Sequence, residues 1–166
     1  MFRISIRRSS LALAGILIAI GGCAESPSTP EAREFVQRTA DVRYNAEGSG
    51  SASAVIDASG GVLQTTAGDR IVFPAGAVAQ PTRITITSNR RYAGVELEPH
   101  GLRFPAGHEP ILRISTAGSN IASYRNVDVV YVDESGAIAE VLPTSGNGAV
   151  LEAHLQHFSG YLASGH

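Results

Sequence analysis

Thr82-Arg83-Ile84-Thr85-Ile86-Thr87-Ser88, TRITITS, alternates branched apolar residues with polar ones at a strict period of two. In an extended chain that spacing sends Ile84 and Ile86 to one face and Arg83, Thr85 and Thr87 to the other, which is a half-buried β-strand. The same texture recurs on both sides, in GGVLQTT, RIVFPAG, GVELEP, EPILRIST, VDVVYVDESG, AIAEVLP and AVLEAHLQ. Runs of this kind about every ten residues, broken by glycine, proline and asparagine, predict an all-β chain built as a single antiparallel sandwich. Nothing after residue 40 carries a 3.6-residue period. Asp133-Glu134-Ser135-Gly136 and Thr144-Ser145-Gly146-Asn147-Gly148 read as turns, so residues 127–158 are expected to form a three-strand meander. Phe-Pro-Ala-Gly occurs twice, at 73–76 and 104–107, each closing an apolar strand. Proline there removes a ladder donor, and glycine permits the turn.

Upstream of residue 54 the composition differs. Arg3, Arg7 and Arg8 precede an unbroken apolar run, Leu11 to Ile20, with no acidic residue before Glu25. A basic start followed by about ten apolar residues is a secretory signal, being half the length that a membrane-spanning helix needs. Ala24 to Pro30 is polar and proline-rich, as a tether is, and Asn45 to Ser53 is a second flexible stretch. Thr29-Pro30-Glu31 has the form of a helix start, so a short helix over 30–40 is expected. The expected division is a leader over 1–22, a tether over 23–53 and a sandwich domain over 54–166.

Ile20-Gly21-Gly22-Cys23 resembles the lipobox of bacterial lipoproteins, in which two small residues admit the chain to a peptidase and the cysteine sulfur receives a diacylglyceryl group. That resemblance implies a lipoprotein anchored to the membrane by acyl chains on Cys23, located in the cell envelope. Ala24 in place of aspartate favours the outer membrane where the cell has one. Cys23 is the only cysteine, so an intramolecular disulfide is excluded. All thirteen basic residues are arginine. Loss of residues 1–22 removes three of them and none of the fifteen carboxylates, taking the net charge from −2 to −5. A mildly acidic chain with no basic run argues against nucleic acid as a partner.

Gly60-Gly61 opening a strand, Pro74-Ala75-Gly76-Ala77, then Pro99-His100-Gly101-Leu102-Arg103-Phe104 and Pro110 to Arg113 resemble the ZU-five domain in order and spacing over Gly60 to Ser115. In that family the module is a β-sandwich serving mostly as an interaction or inhibitory surface. The resemblance therefore implies binding, here to another envelope protein, without a cofactor. Some members also cleave themselves between Phe and Ser of a His-Phe-Ser tripeptide, here His157-Phe158-Ser159. Ser159 Oγ would attack the Phe158 carbonyl while His157 takes its proton, the amide C–N bond breaking to give an ester that water then hydrolyses. The competing reading makes these residues part of a structural final strand, with Phe158 and Tyr161 packed inward. A fragment of only eight residues would leave on cleavage, so the structural reading is preferred.

Other chemistry is thinly supported. His154 and His157 have a metal-ligand spacing on a helix, but on a strand they face opposite sides. Glu96, Glu98 and His100 share a strand face suited to a hard cation or simply to solvent. His100 and His108 flank the second Phe-Pro-Ala-Gly with no cysteine to complete a zinc set. No metal is expected. There is no Gly-x-Ser-x-Gly elbow and no glycine-rich phosphate loop before a helix, so the expected class is a non-enzymatic module.

Overall fold

A computed structural model describes residues 32–39 and 50–166. Among these, two antiparallel sheets pack face to face as a β-sandwich. The strands are β1 (Glu34–Phe35), β2 (Ser51–Ile56), β3 (Gly61–Gln64), β4 (Arg70–Phe73), β5 (Thr82–Ser88) and β6 (Gly94–Glu98). They continue with β7 (Ile111–Ser115), β8 (Val127–Val132), β9 (Ile138–Leu142), β10 (Thr144–Gly146), β11 (Val150–His154) and β12 (Gly160–Gly165). The larger sheet has the order β2-β5-β6-β12-β8-β9, with β1 also on β12, and the smaller has the order β10-β11-β7-β4-β3.

The alternation of TRITITS sets the position of β5. Ile84 and Ile86 are fully buried between the sheets, joined there by Leu97, Ile71, Leu112 and Ile114. On the outer face the Thr87 and Ser51 hydroxyls meet at 2.8 Å, and Thr85 donates to Ser53 at 3.2 Å. These hydroxyl pairs sit across the β2–β5 register and reinforce it.

The expected meander over 127–158 does not form. β8 and β9 pair in the larger sheet, whereas β10 pairs with β11 in the smaller one. Pro143, lacking an N–H, ends the β8–β9 ladder. Thr144 replaces the lost pairing, because its hydroxyl accepts from Val129 N at 2.7 Å and donates to Leu142 O at 2.8 Å. The chain thus changes sheets within one residue of proline.

Part of the segment expected as tether and short helix is instead strand-like. Residues 32–39 are extended and belong to the sandwich: Glu34 and Phe35 pair with Gly165 and Ser164, Gln37 bridges Tyr92, and Arg38 bridges Ser119. Val36 is wholly buried in the core. A two-residue strand with one inward apolar side chain has too little 3.6-period pattern to hold a helix, and the open edge of β12 supplies its hydrogen bonds. Residues 30, 31 and 40 of the expected helix lie outside the described residues.

Arg38 completes this docking. Its NH2 nitrogen lies 3.0 and 2.7 Å from the two carboxylate oxygens of Asp69, and its other nitrogens donate to Tyr92 O at 3.0 Å and Ser115 O at 3.2 Å. Asp69 also accepts from Ser88 Oγ at 2.6 Å and from Ser115 N at 2.8 Å. Burial pushes the Asp69 carboxyl up, against the pull of the Arg38 guanidinium and these donors. The network joins the N-terminal segment to both sheets.

Candidate functional site

His157-Phe158-Ser159 lies where the chain leaves β11 of the smaller sheet and enters β12 of the larger. The crossing is held by backbone bonds to the loop between β6 and β7. Phe158 N donates to Leu102 O at 2.8 Å, Gly101 N to Phe158 O at 3.0 Å, and Phe104 N to Gln156 O at 3.0 Å. The residues form a sheet-to-sheet crossover, followed by β12 as the closing strand.

Phe158 is buried and meets two other phenylalanines edge-on, Phe104 at 5.0 Å and Phe73 at 6.0 Å between ring centres. Those two come from the two Phe-Pro-Ala-Gly stretches, whose rings lie 6.2 Å apart. The turns meet as well: His108 Nδ1 is 2.7 Å from Ala75 O, and its ring covers Gly76. The repeated tetrapeptide therefore places a pair of aromatic plugs that Phe158 completes. Tyr161, also expected inward, is buried; its hydroxyl donates to His157 O at 2.6 Å. Burial raises the Tyr161 hydroxyl well above the ordinary tyrosine range, keeping it protonated as a donor.

The His157 ring packs edge-on against Tyr131 at 5.0 Å. Its Nδ1 lies 3.3 Å from Tyr161 Oη and its Nε2 3.8 Å from Glu140 Oε2. Among the described residues no hydrogen bond joins His157 to Ser159. The Phe158 oxygen accepts from the Gly101 N–H.

Around this crossover lies an open cleft of about 700 Å³, lined by Glu96, His100, Arg103, Tyr131, His157 and Ser159 among others. Glu96 and Glu98 share the solvent face of β6, as their spacing implies, and His100 turns back so that its Nε2 lies 2.5 Å from Glu96 Oε1. His154 stands on the outer face of the smaller sheet opposite Ile111, away from the partners of His157. Among the described residues no group of three His, Cys, Asp or Glu side chains is placed to hold a metal ion. Cys23 and the lipobox lie outside the described residues.

Sequence reasoning missed two arrangements. One is the Arg38–Asp69 network, because Arg38 stands in a stretch that reads as linker. The other is a row of polar side chains across the smaller sheet, in which Arg70 and Arg113 are direct neighbours. Both arginines occupy outward positions of apolar strands, but only the register shows that they are opposed. No family model matches the chain, and a search of curated proteins returns no match.

Proposed function

We propose that this protein is a lipid-anchored component of the bacterial cell envelope. Its ZU-five-like sandwich would act as an interaction module held near the membrane through acylated Cys23. The observation that carries the reading is the leader itself: three arginines, a ten-residue apolar run and Ile20-Gly21-Gly22-Cys23 in succession. Ala24 favours the outer membrane in a diderm cell. Recognition by sheet faces and loops, rather than turnover, fits a cleft whose histidines are engaged by Glu96, Glu140 and tyrosines. Labelling with an alkyne fatty acid tests the anchor. Wild-type chain takes the label and fractionates with membranes, and Cys23→Ser loses both; a labelled Cys23→Ser chain would overturn the assignment.

A second reading, autocleavage between Phe158 and Ser159, draws on the Gly101 N–H that polarises the Phe158 carbonyl. It needs His157 to swing from Tyr161 and Glu140 towards Ser159.

A further inference from the structure

Gln64, Arg70, Arg113, Glu152 and Ser145 form one continuous row across all five strands of the smaller sheet, each paired with the next in register. All point outward, because Leu63, Ile71, Leu112 and Ala153 beside them point into the core. Arg70 and Arg113 are therefore directly opposed like charges, an arrangement that costs stability in an antiparallel pair. Only one carboxylate serves them: Arg113 Nε lies 3.1 Å from Glu152 Oε1 as an ion pair. Arg70 has no ion pair or hydrogen-bonded side-chain partner among the described residues, and the Nε atoms of both arginines are buried without a hydrogen-bond partner. One pleat along, the next outward row is apolar: Val62, Val72 and Ile111 in register, ending at His154. Val62 is 48% exposed, one of three large hydrophobic residues left open to solvent among the described residues.

We propose that this outer sheet face is the docking surface of the interaction module, and that it takes an acidic, extended segment of a partner protein. The proposal rests on the interaction-module reading above and names the chemistry of its partner. Charge complementarity decides the occupant. The chain is acidic as a whole, yet here it holds an uncompensated guanidinium beside a second arginine. A partner carboxylate at Arg70 supplies the missing countercharge and relieves the repulsion. The two outward rows lie about 7 Å apart, the spacing of residues i and i+2 in an extended chain. A glutamate at i then reaches Arg70 while a valine at i+2 covers Val62 and Val72.

The test uses full-length lipidated protein in phosphatidylcholine nanodiscs and a fluorescent peptide of repeated Glu-Ser-Val-Ser, read by anisotropy. Saturable binding is expected, weakened about tenfold or more by Arg70→Gln and by replacing the peptide glutamates with glutamine. Equal binding to Arg70→Gln, equal binding of the glutamine peptide, or uptake of phosphatidylglycerol vesicles or a second copy of the chain in its place would overturn the proposal. A photo-crosslinker at Val62, on this face, and one at Thr85, on the other sheet, separate its failure from that of the underlying reading. Crosslinks in the native envelope from Val62, competed by the peptide, support it. Crosslinks from Thr85 alone sink this face and leave the module reading standing; none from either position sinks both.

Discussion

Arg38 and Asp69 form an ion pair in which neither side chain has any solvent access, with the closer contact at 2.7 Å. One partner belongs to the N-terminal segment and the other to the strand-entry turn of β4, so the pair closes the sandwich across its sequence. Breaking such a pair leaves a buried charge uncompensated, whereas removing both charges does not.

Arg38→Met should accordingly lower unfolding free energy by about 3–5 kcal/mol, the cost of stranding a buried carboxylate. The double variant Arg38→Met with Asp69→Asn should recover much of that loss. Urea midpoints of the four proteins give the cycle directly. A single-variant loss under ~1 kcal/mol would mean that water reaches Asp69.

Gly60 and Gly107 test whether left-handed glycines are held by backbone conformation alone. Both have positive φ, 82° and 83°. A Cβ on Gly60 would collide with the Phe73 carbonyl, whereas one on Gly107 meets nothing within 4 Å. Gly107→Ala should cost about 1–2 kcal/mol, the conformational cost alone. Gly60→Ala should cost clearly more, and thermal melts of the two rank them.

Much of the sandwich was legible in the sequence because inward and outward residues alternate wherever one sheet face is wet. Ile84, Ile86, Phe158 and Tyr161 are all buried, as their spacing implies. The partition of strands between sheets was not legible. The turns at Asp133 and Thr144 look alike, and the chain crosses sheets only because Pro143 and the Thr144 hydroxyl end one ladder at that point. The docking of residues 32–39 depends on the open edge of β12, which lies about 130 residues away in the chain. His157 shows the same limit: its ring takes Tyr131 of β8, Glu140 of β9 and Tyr161 of β12 as partners, and not Ser159 two residues on.

The Asp133 turn should contribute to acid sensitivity, as should Asp57 and Glu109, whose carboxyls are also held low by hydrogen bonds. Hydrogen bonds from Ser135 and Ala137 hold the Asp133 carboxyl below its ordinary value, and Asp57 is held down likewise by Ser59. A folded-state value below the unfolded one contributes stability that is present above about pH 4 and lost as pH falls through the folded value. Asp69, pushed up by burial, has the opposite sign, but it is common to wild type and variant and cancels in their difference. Asp133→Asn should therefore flatten the loss of stability below pH 4, as read from urea midpoints between pH 2.5 and 6. An unchanged slope would show that this turn does not carry the linkage.

Arg70 should be a residue whose removal stabilises the protein. It opposes Arg113 across β4 and β7 with no countercharge of its own. Arg70→Thr removes the like-charge pair and places a good strand former on an outward position, which should raise stability by about 0.2–1 kcal/mol at low salt. The gain should shrink in 0.5 M salt, where the repulsion is screened. A destabilised Arg70→Thr would mean that the Arg70 stem packs on the sheet more than its charge repels, which melts at two salt concentrations distinguish.

Phe158 and Ser159 separate the packing role of the crossover from its chemistry. Phe158 fills the space between Phe73 and Phe104 with almost no exposure, so Phe158→Ala should cost about 3–5 kcal/mol. Ser159 is half-buried and its hydroxyl makes no hydrogen bond among the described residues. Ser159→Ala should then stay within about 0.5 kcal/mol of wild type. Intact-mass spectrometry of the mature chain should show one species uncut between Phe158 and Ser159, because His157 is turned to Tyr161 and Glu140 and away from the serine. A fragment ending at Phe158, abolished by Ser159→Ala, would show that His157 reorients in solution and that the Gly101 N–H serves a reacting carbonyl. The stability difference between the two variants holds under either result.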